Sequence, residues 1–336
     1  MEIKDLDKQI SSGNLGKLYF FYGDEQFLME HKIKSIKNKL IAKDFADFNF
    51  VRLDGKKTTA ADIRREVMAV PAMSDMRMVV VQNTGIFGNA KLRDFKEVCE
   101  LLEDIPEYLC LIFTERDFDK KKEKNLDLFK KHGEVVKFDL LSPVQLERWL
   151  EKLFESKGKS VLSTDLQTMI DLCGQNMSNL FNEYQKLLSF LGERTKLTED
   201  DIRAVVSKST ATRIFEVIDS IALGKAKGVF DELSAMRAAG ENPSTIMSLI
   251  TTRLSELLMV KQLGFDKLSR DKIAEYFEPR KPSFVVGKLI DQSKGFSEEY
   301  LIKMTLKGPE YTAAVRSGLL DKWVAVEMYA SELLKK

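Results

Sequence analysis

Residues 18–33 read LYFFYGDEQFLMEHKI. An aromatic-rich apolar run ends at Gly23, and an amphipathic stretch begins almost at once. That is how a strand–turn–helix unit opens, and in many nucleotide-binding folds the amides of such a turn cradle phosphate. Here the turn is only Gly23-Asp24-Glu25-Gln26. It lacks the GK[ST] signature, in which lysine neutralises the β/γ charge and a hydroxyl holds Mg²⁺. Asp24 and Glu25 put carboxylates where phosphate would sit. The stretch TERDFDKKKEK at 114–124 carries acids but no apolar run ending in DE, so ATP hydrolysis by this chain is not expected.

Outward from that turn, strand-like runs recur at 18–22, 48–54, 77–82, 109–114 and 134–139. VVV at 79–81 and LCLIF at 109–113 are apolar on consecutive residues, as strands buried on both faces of a parallel sheet require. Helical patterns fill the gaps; in the first, Met29, Ile33, Ile36 and Leu40 share one face, flanked by lysines. This alternation predicts a three-layer α/β domain over 1–140.

The character changes at Ser142. In SPVQLERWLEKLFESKG, Ser142 is placed as N-cap, Pro143 at the first helical position and Gln145 three residues on. No strand signal follows, and helical patterns end at Gly174, Gly192, Gly224, Gly240 and Gly264. Asn242-Pro243 opens a long helix running to about Leu263. The polar KSTAT stretch at 208–212 suggests a boundary, giving a small helical domain over 141–208 and a larger one over 209–336.

The chain has 336 residues, 53 Lys+Arg against 52 Asp+Glu, and a net charge of +1, which excludes gross electrostatic capture of nucleic acid and leaves local basic patches. Cys99, Cys110 and Cys173 show no CxxC pairing, which argues against structural zinc and for a reducing, cytosolic compartment. The stretch MEIKDLDKQI has no apolar core of signal-peptide length, and no apolar run approaches a membrane span. With only His31 and His132, a histidine metal site or a Ser-His-Asp triad has little material. No HExxH, GxSxG, GxGxxG or EF-hand pattern is present.

Taken in order, several segments resemble the delta subunit of the bacterial DNA polymerase III clamp loader. LYFFYGDEQFLMEHKI is similar to that family's opening turn, and LIFTERDFDKKKEKNLDLFKKHGEVVKF to its segment from fourth to fifth strand. ERWLEKLFESKG resembles its first lid helix, and LTEDDIRAVVSKSTATRIFEVIDSIALGKAKGVFDEL the junction from lid to collar. The resemblance implies a degenerate AAA+ type α/β domain without a phosphate loop, a helical lid and a helical collar that oligomerises. It implies a non-catalytic subunit that binds and opens the sliding clamp (beta) for loading on primer–template DNA. The other partners would be gamma/tau and delta prime. No cofactor is expected on this chain, ATP being bound by partner subunits, and the location would be cytoplasmic, associated with the nucleoid.

The family's clamp-binding element precedes the third strand, which here is VMAVPAMSDMRMVVV. By resemblance the clamp-binding residues are Met68, Pro71, Ala72, Met73, Ser74, Asp75 and Met76. Ala72 and Met73 stand where bulkier apolar residues are usual, and Met68, Met73 and Met76 compensate because methionine adapts to irregular grooves. Without the family, the same stretch reads as an ordinary helix-to-strand loop with Met73 folded back on its core. Arg116, Lys120, Lys121, Lys122 and Lys124 are candidates for DNA phosphate contact. They also alternate with Asp117, Asp119 and Glu123, the pattern of a solvated helix face. Trp149 and Trp323 sit among apolar neighbours and are read as packing residues. Two alternatives stand beside this reading: a generic α-helical scaffold with an α/β interaction domain, and another AAA+ clamp-loader or initiator ATPase, which would need a phosphate loop.

Overall fold

The computed structural model describes residues 1–85, 95–116, 124–264, 268–277, 281 and 283–335. By internal contacts the chain divides into two compact units, Met1–Leu141 and Ser142–Lys336. The helical stretches expected at 141–208 and 209–336 both lie in the second.

The first unit is built on a five-stranded parallel sheet of order β2-β3-β4-β1-β5. The strands are β1 Leu18–Tyr22, β2 Phe50–Asp54, β3 Arg77–Gln82, β4 Leu109–Glu115 and β5 Glu134–Lys137. Its helices are α1 Ile3–Ser12, α2 Gln26–Leu40, α3 Ala46–Asn49, α4 Ala60–Met68, α5 Phe95–Leu101 and α6 Lys124–His132. The strands with unbroken apolar runs are central: β4 is buried throughout, and β1 and β3 over all but their last residue. The half-exposed β2 and β5 form the edges, as a sheet covered on both faces demands.

On one face, Leu18, Phe20, Val79, Val81, Leu111 and Phe113 pack with Ile63 and Val67 of α4, Val98 of α5 and Phe129 of α6. The alternate residues Tyr19, Phe21, Val80 and Ile112 are equally buried. There the Tyr19 hydroxyl donates to Gln9 of α1 at 2.7 Å, and Met29, Ile33 and Ile36 of α2 are buried. Two boundaries differ from the sequence reading by two residues, β5 ending at Lys137 rather than at 139. The run at 48–54 begins as a helix, so Phe48 belongs to α3 and the strand starts at Phe50. Asn49 turns the chain: its side chain is buried and donates to the Phe45 carbonyl at 3.0 Å.

The second unit comprises α7 Pro143–Glu155, α8 Ser163–Cys173, α9 Met177–Leu191, α10 Glu199–Val205, α11 Thr210–Ala222 and α12 Ala226–Ala238. It continues with α13 Pro243–Leu263, α14 Arg270–Ala274, α15 Ser283–Ser293, α16 Glu298–Arg316 and α17 Lys322–Leu333. Apart from an isolated bridge between Ser160 and Lys196, its described residues are helices and connections. Ser142 and Gln145 form the anticipated capping box, with Pro143 inside the first turn. From Ile214 to Leu333 one apolar core joins α11, α12, α13, α15, α16 and α17. Trp323 packs against it, with the Arg237 guanidinium 5.6 Å from its ring.

Candidate functional site

Two loops of the α/β unit lie at opposite ends of its sheet. The first joins β1 to α2 at the carboxyl ends of the strands, where doubly wound α/β folds place their ligands. Gly23 has φ +129°, and a Cβ there would stand 2.3 Å from the Phe138 carbonyl oxygen. The Gly23 amide donates to the Glu115 carbonyl at 3.2 Å and the Glu25 amide to that of Phe138 at 3.0 Å. The Gln26 side chain donates back to the Gly23 carbonyl at 2.6 Å.

Glu25 is buried at the start of α2. Burial pushes its carboxyl above the ordinary range, against the opposing pull of the Phe27 and Leu28 amides, and nearby Asp24 adds to the rise. At the end of β4, buried Glu115 accepts from the Thr84 hydroxyl at 2.7 Å and the Gly85 amide at 2.6 Å. The chain's own carboxyl groups and carbonyls thus take up the amides of Gly23, Glu25 and Gly85.

The second loop, residues 69–76, joins α4 to β3 at the opposite end. Thr59 and Asp62 cap the start of α4 reciprocally. The helix stops at Ala69, which is extended, and Pro71 biases the next residue, Val70, away from helix as well. Beyond it the backbone is held by buried polar side chains reaching from elsewhere. Asn49 donates to the Ala72 carbonyl and accepts from the Ala72 amide, both at 2.8 Å. Buried Arg77 donates to the carbonyls of Glu66 at 3.2 Å and Phe48 at 2.6 Å, and pairs with the Glu66 carboxylate at 2.6 Å. The Ser74 hydroxyl donates to the Met76 carbonyl at 3.1 Å.

This frame carries side chains that point outward. Met73 is 84% exposed and its backbone is left-handed, φ +53°, a conformation uncommon outside glycine, asparagine and aspartate. Val70 is 72% exposed, Phe48 64% and Met68 45%. Ala72 and Asp75 are also exposed, while Pro71, Ser74 and Met76 are half-buried. Met73 therefore does not fold back on its own core. Phe48 and Val70 join the apolar residues near the loop that sequence reading had named. Phe48 went unrecognised because its run was read as strand.

Of the basic candidates, Arg116 is exposed just beyond β4 and Lys124 opens α6. Lys120, Lys121 and Lys122 lie outside the described residues. No group of His, Cys, Asp and Glu suited to a metal ion occurs among the described residues. The thiols of Cys110 and Cys173 are buried, which pushes both up to about 12 and leaves them unreactive. Among the described residues, no helix is long and apolar enough to cross a membrane.

Comparison with known proteins places this geometry in context. Residues 19–139 match the family described as DNA polymerase III, delta subunit, and residues 211–333 match the DNA polymerase III delta subunit, C-terminal domain. DNA polymerase III subunit delta of Bacillus subtilis is 23% identical over 338 aligned residues, covering 99% of this chain and 97% of that one. A probable DNA polymerase III subunit delta of Aquifex aeolicus is 23% identical, covering 74% of this chain and 71% of its own. Among solved structures, the Bacillus subtilis DNA clamp loader delta protein superposes with a TM-score of 0.79 at 22% identity, over 99% of this chain and 100% of that one.

Proposed function

This chain belongs to the DNA polymerase III delta subunit family, and we propose that it is the subunit of the clamp loader that binds the sliding clamp and opens it. The observation that carries the reading is the pinned loop at 69–76, with Met73 held outward in a left-handed conformation beside Val70 and Met68. An exposed methionine on a rigid mount acts as an apolar wedge. Its ordering cost is met in the free protein, so burial in a partner's pocket contributes nearly undiminished, about 1.5–3 kcal/mol for one full side chain. Met68, Pro71, Ala72, Ser74, Asp75 and Met76 complete the contact, with Phe48 added at its edge.

Opening follows if the loop binds the open clamp better than the closed one, since a partner shifts an equilibrium only by its differential affinity. The chain contributes no ATPase site in this reading. The β1–α2 turn is closed on its own carbonyls, and Glu25 stands at the helix N-terminus where phosphate would bind. ATP would be bound by gamma/tau partners, with delta prime completing the cytoplasmic assembly near the nucleoid. Primer–template DNA would be held by the complex, with Arg116 and Lys124 as minor contributors.

The test is binding of the isolated chain to purified sliding clamp from the same organism. Met73→Asp should weaken it by about two orders of magnitude and Met73→Ala by about tenfold, both with unchanged thermal stability. A wild-type chain that fails to bind clamp, alone or in assembled loader, removes this function. Equal binding by all three proteins keeps the function and moves the site. The general-scaffold alternative predicts no co-elution with clamp at all.

A further inference from the structure

In the second unit a cavity of about 900 Å³ lies between the first half of α13 and the second half of α16. Its size is that of a site for a small organic molecule. The two helices are antiparallel: Gln262 near the end of α13 donates to Glu298 at the start of α16 at 3.2 Å, whereas Pro243 and Ser317 line the cavity from their other ends. They meet at Gly308, where a Cβ would stand 2.3 Å from the Thr251 hydroxyl oxygen. Every α13 residue of the lining lies at or before Thr252, and every α16 residue at or after Gly308. The cavity is therefore a blind wedge, shut at the crossing and running toward the connection between α16 and α17. Met247 and Gly308 are its buried lining residues, with half-buried Val315 beside them.

Two cations mark the end away from the crossing. Arg316 closes α16 and Lys322 opens α17, and both line the cavity. Among the described residues no aspartate or glutamate lines it, and neither cation has an ion-pair partner. Asp321 is next to Lys322 in the chain, but its carboxylate accepts the Trp323 and Val324 amides at 2.8 and 3.2 Å. Pro243 and Lys322 begin α13 and α17, so the positive ends of two helix dipoles adjoin this end, against one negative end, that of α16. A second cavity in this unit, of about 390 Å³, shows the contrast. It is lined by Arg253, Lys281 and Lys288, yet Glu256 stands 2.8 Å from Lys281, Gln292 accepts from Arg253 at 2.8 Å, and Asp171 lies 3.9 Å from Lys288. The smaller cavity balances its own charge, and the larger one does not.

The wall on α13 selects the kind of ligand. Ser244, Ser248 and Thr252 stand at i, i+4 and i+8, so their hydroxyls rise one above another along about 12 Å of helix. All three residues are exposed, and their hydroxyls make no hydrogen bond to the described residues. Neighbouring Thr251 and Thr312 differ, donating to the Met247 and Gly308 carbonyls at 2.9 and 3.0 Å. Paired cations hold a phosphate, a ladder of hydroxyls exchanges hydrogen bonds with a polyol, and Met247 and Val315 cover its carbon face. Among the described residues no aromatic side chain lines the cavity, so bases of a nucleic acid strand have nothing to stack on.

We infer that this wedge binds a phosphorylated sugar, free or within a nucleoside monophosphate. Arg316 and Lys322 hold the phosphate, and Ser244, Ser248 and Thr252 pair with the sugar hydroxyls. The inference gives the chain a small-molecule site in its second unit and does not rest on the clamp reading.

The experiment is calorimetric titration of the full chain with ribose 5-phosphate, adenosine 5′-monophosphate, unphosphorylated ribose and inorganic phosphate. Wild type is compared with Arg316→Gln/Lys322→Gln, with Ser248→Ala/Thr252→Val and with Ser248→Trp. At least one of the two sugar phosphates should bind about tenfold tighter than inorganic phosphate, and ribose alone should not bind. Removing both cations should weaken that binding by about tenfold or more. Removing the two hydroxyls should erase the advantage over inorganic phosphate, and Ser248→Trp should block the wedge. All four proteins should share one melting temperature, because the substituted residues are exposed. Binding of adenosine 5′-monophosphate at least as tight as that of ribose 5-phosphate places the sugar within a nucleotide; its exclusion leaves the free sugar phosphate as ligand. Absence of saturable binding of either sugar phosphate below about 10 mM would overturn the inference. Inorganic phosphate binding as tightly as both would reduce the site to an adventitious ion only and overturn it equally. Binding unchanged in all three variants would place the ligand elsewhere and reject the wedge.

Discussion

The two ends of the parallel sheet treat polar groups in opposite ways. At the carboxyl end, the β1–α2 turn satisfies its amides with the Glu115 and Phe138 carbonyls, and Gly23 is pressed against the Phe138 backbone. At the amino end, buried Asn49 holds the Ala72 backbone and buried Arg77 ties Phe48 to Glu66 beside it, while Met73 and Val70 remain in water. Both loops are tied by hydrogen bonds, but the ties do different work in each: in one they fasten the turn to neighbouring backbone, in the other they leave apolar side chains exposed. The position of polar anchors relative to the loop apex decides which.

The largest effect is expected where closure is tightest. Gly23→Ala adds a Cβ 2.3 Å from the Phe138 carbonyl oxygen at φ +129°, so it should cost about 3 kcal/mol or more in urea unfolding. A near-neutral result would mean that the turn yields, and that the contrast between closed and open ends is overstated.

Asn49→Ala tests the other end. It leaves the amide and carbonyl of Ala72 without their side-chain partner, and should destabilise by about 2 kcal/mol. Clamp affinity should fall as well, although Asn49 is buried and touches no partner. Stability lost with affinity retained would show that the loop does not need its frame.

Phe48→Ala and Val70→Ala remove exposed apolar surface only. Each should weaken clamp binding roughly three- to tenfold, about 1 kcal/mol, and leave stability unchanged. A loss confined to Met73 would narrow the contact to the loop apex.

The smallest effect concerns Glu25. Its folded carboxyl is raised above the ordinary value of 4.5, chiefly by burial, so the folded chain binds that proton more readily than the unfolded one. Ionised Glu25 therefore costs stability at neutral pH, and the cost fades as pH falls through the raised folded value toward 4.5. Glu25→Gln should melt slightly higher than wild type at pH 7 and match it near pH 4. A variant that melts lower at pH 7 would mean that the carboxylate stabilises the start of α2 as a bound anion does.

Much of this molecule is legible in its residues. Uninterrupted apolar runs in β3 and β4 require a strand covered on both faces, because an exposed face would leave Val80 or Ile112 in water. Ser142-Pro143 and Asn242-Pro243 start helices through their own side chains and ring geometry, and the helices begin there. Such signals are local, with partners within four residues, so a linear reading finds them.

What tertiary structure alone decided is which apolar residues stay outside. Phe48 lies in a run with strand character, yet the chain turns there as helix because the buried Asn49 amide pairs with Ala72, 23 residues away. Met73 and Met29 are the same residue type in similarly mixed surroundings, and only one is buried. Exposure depends on whether neighbouring elements supply a covering face, and that follows from long-range polar ties such as Arg77 to Phe48.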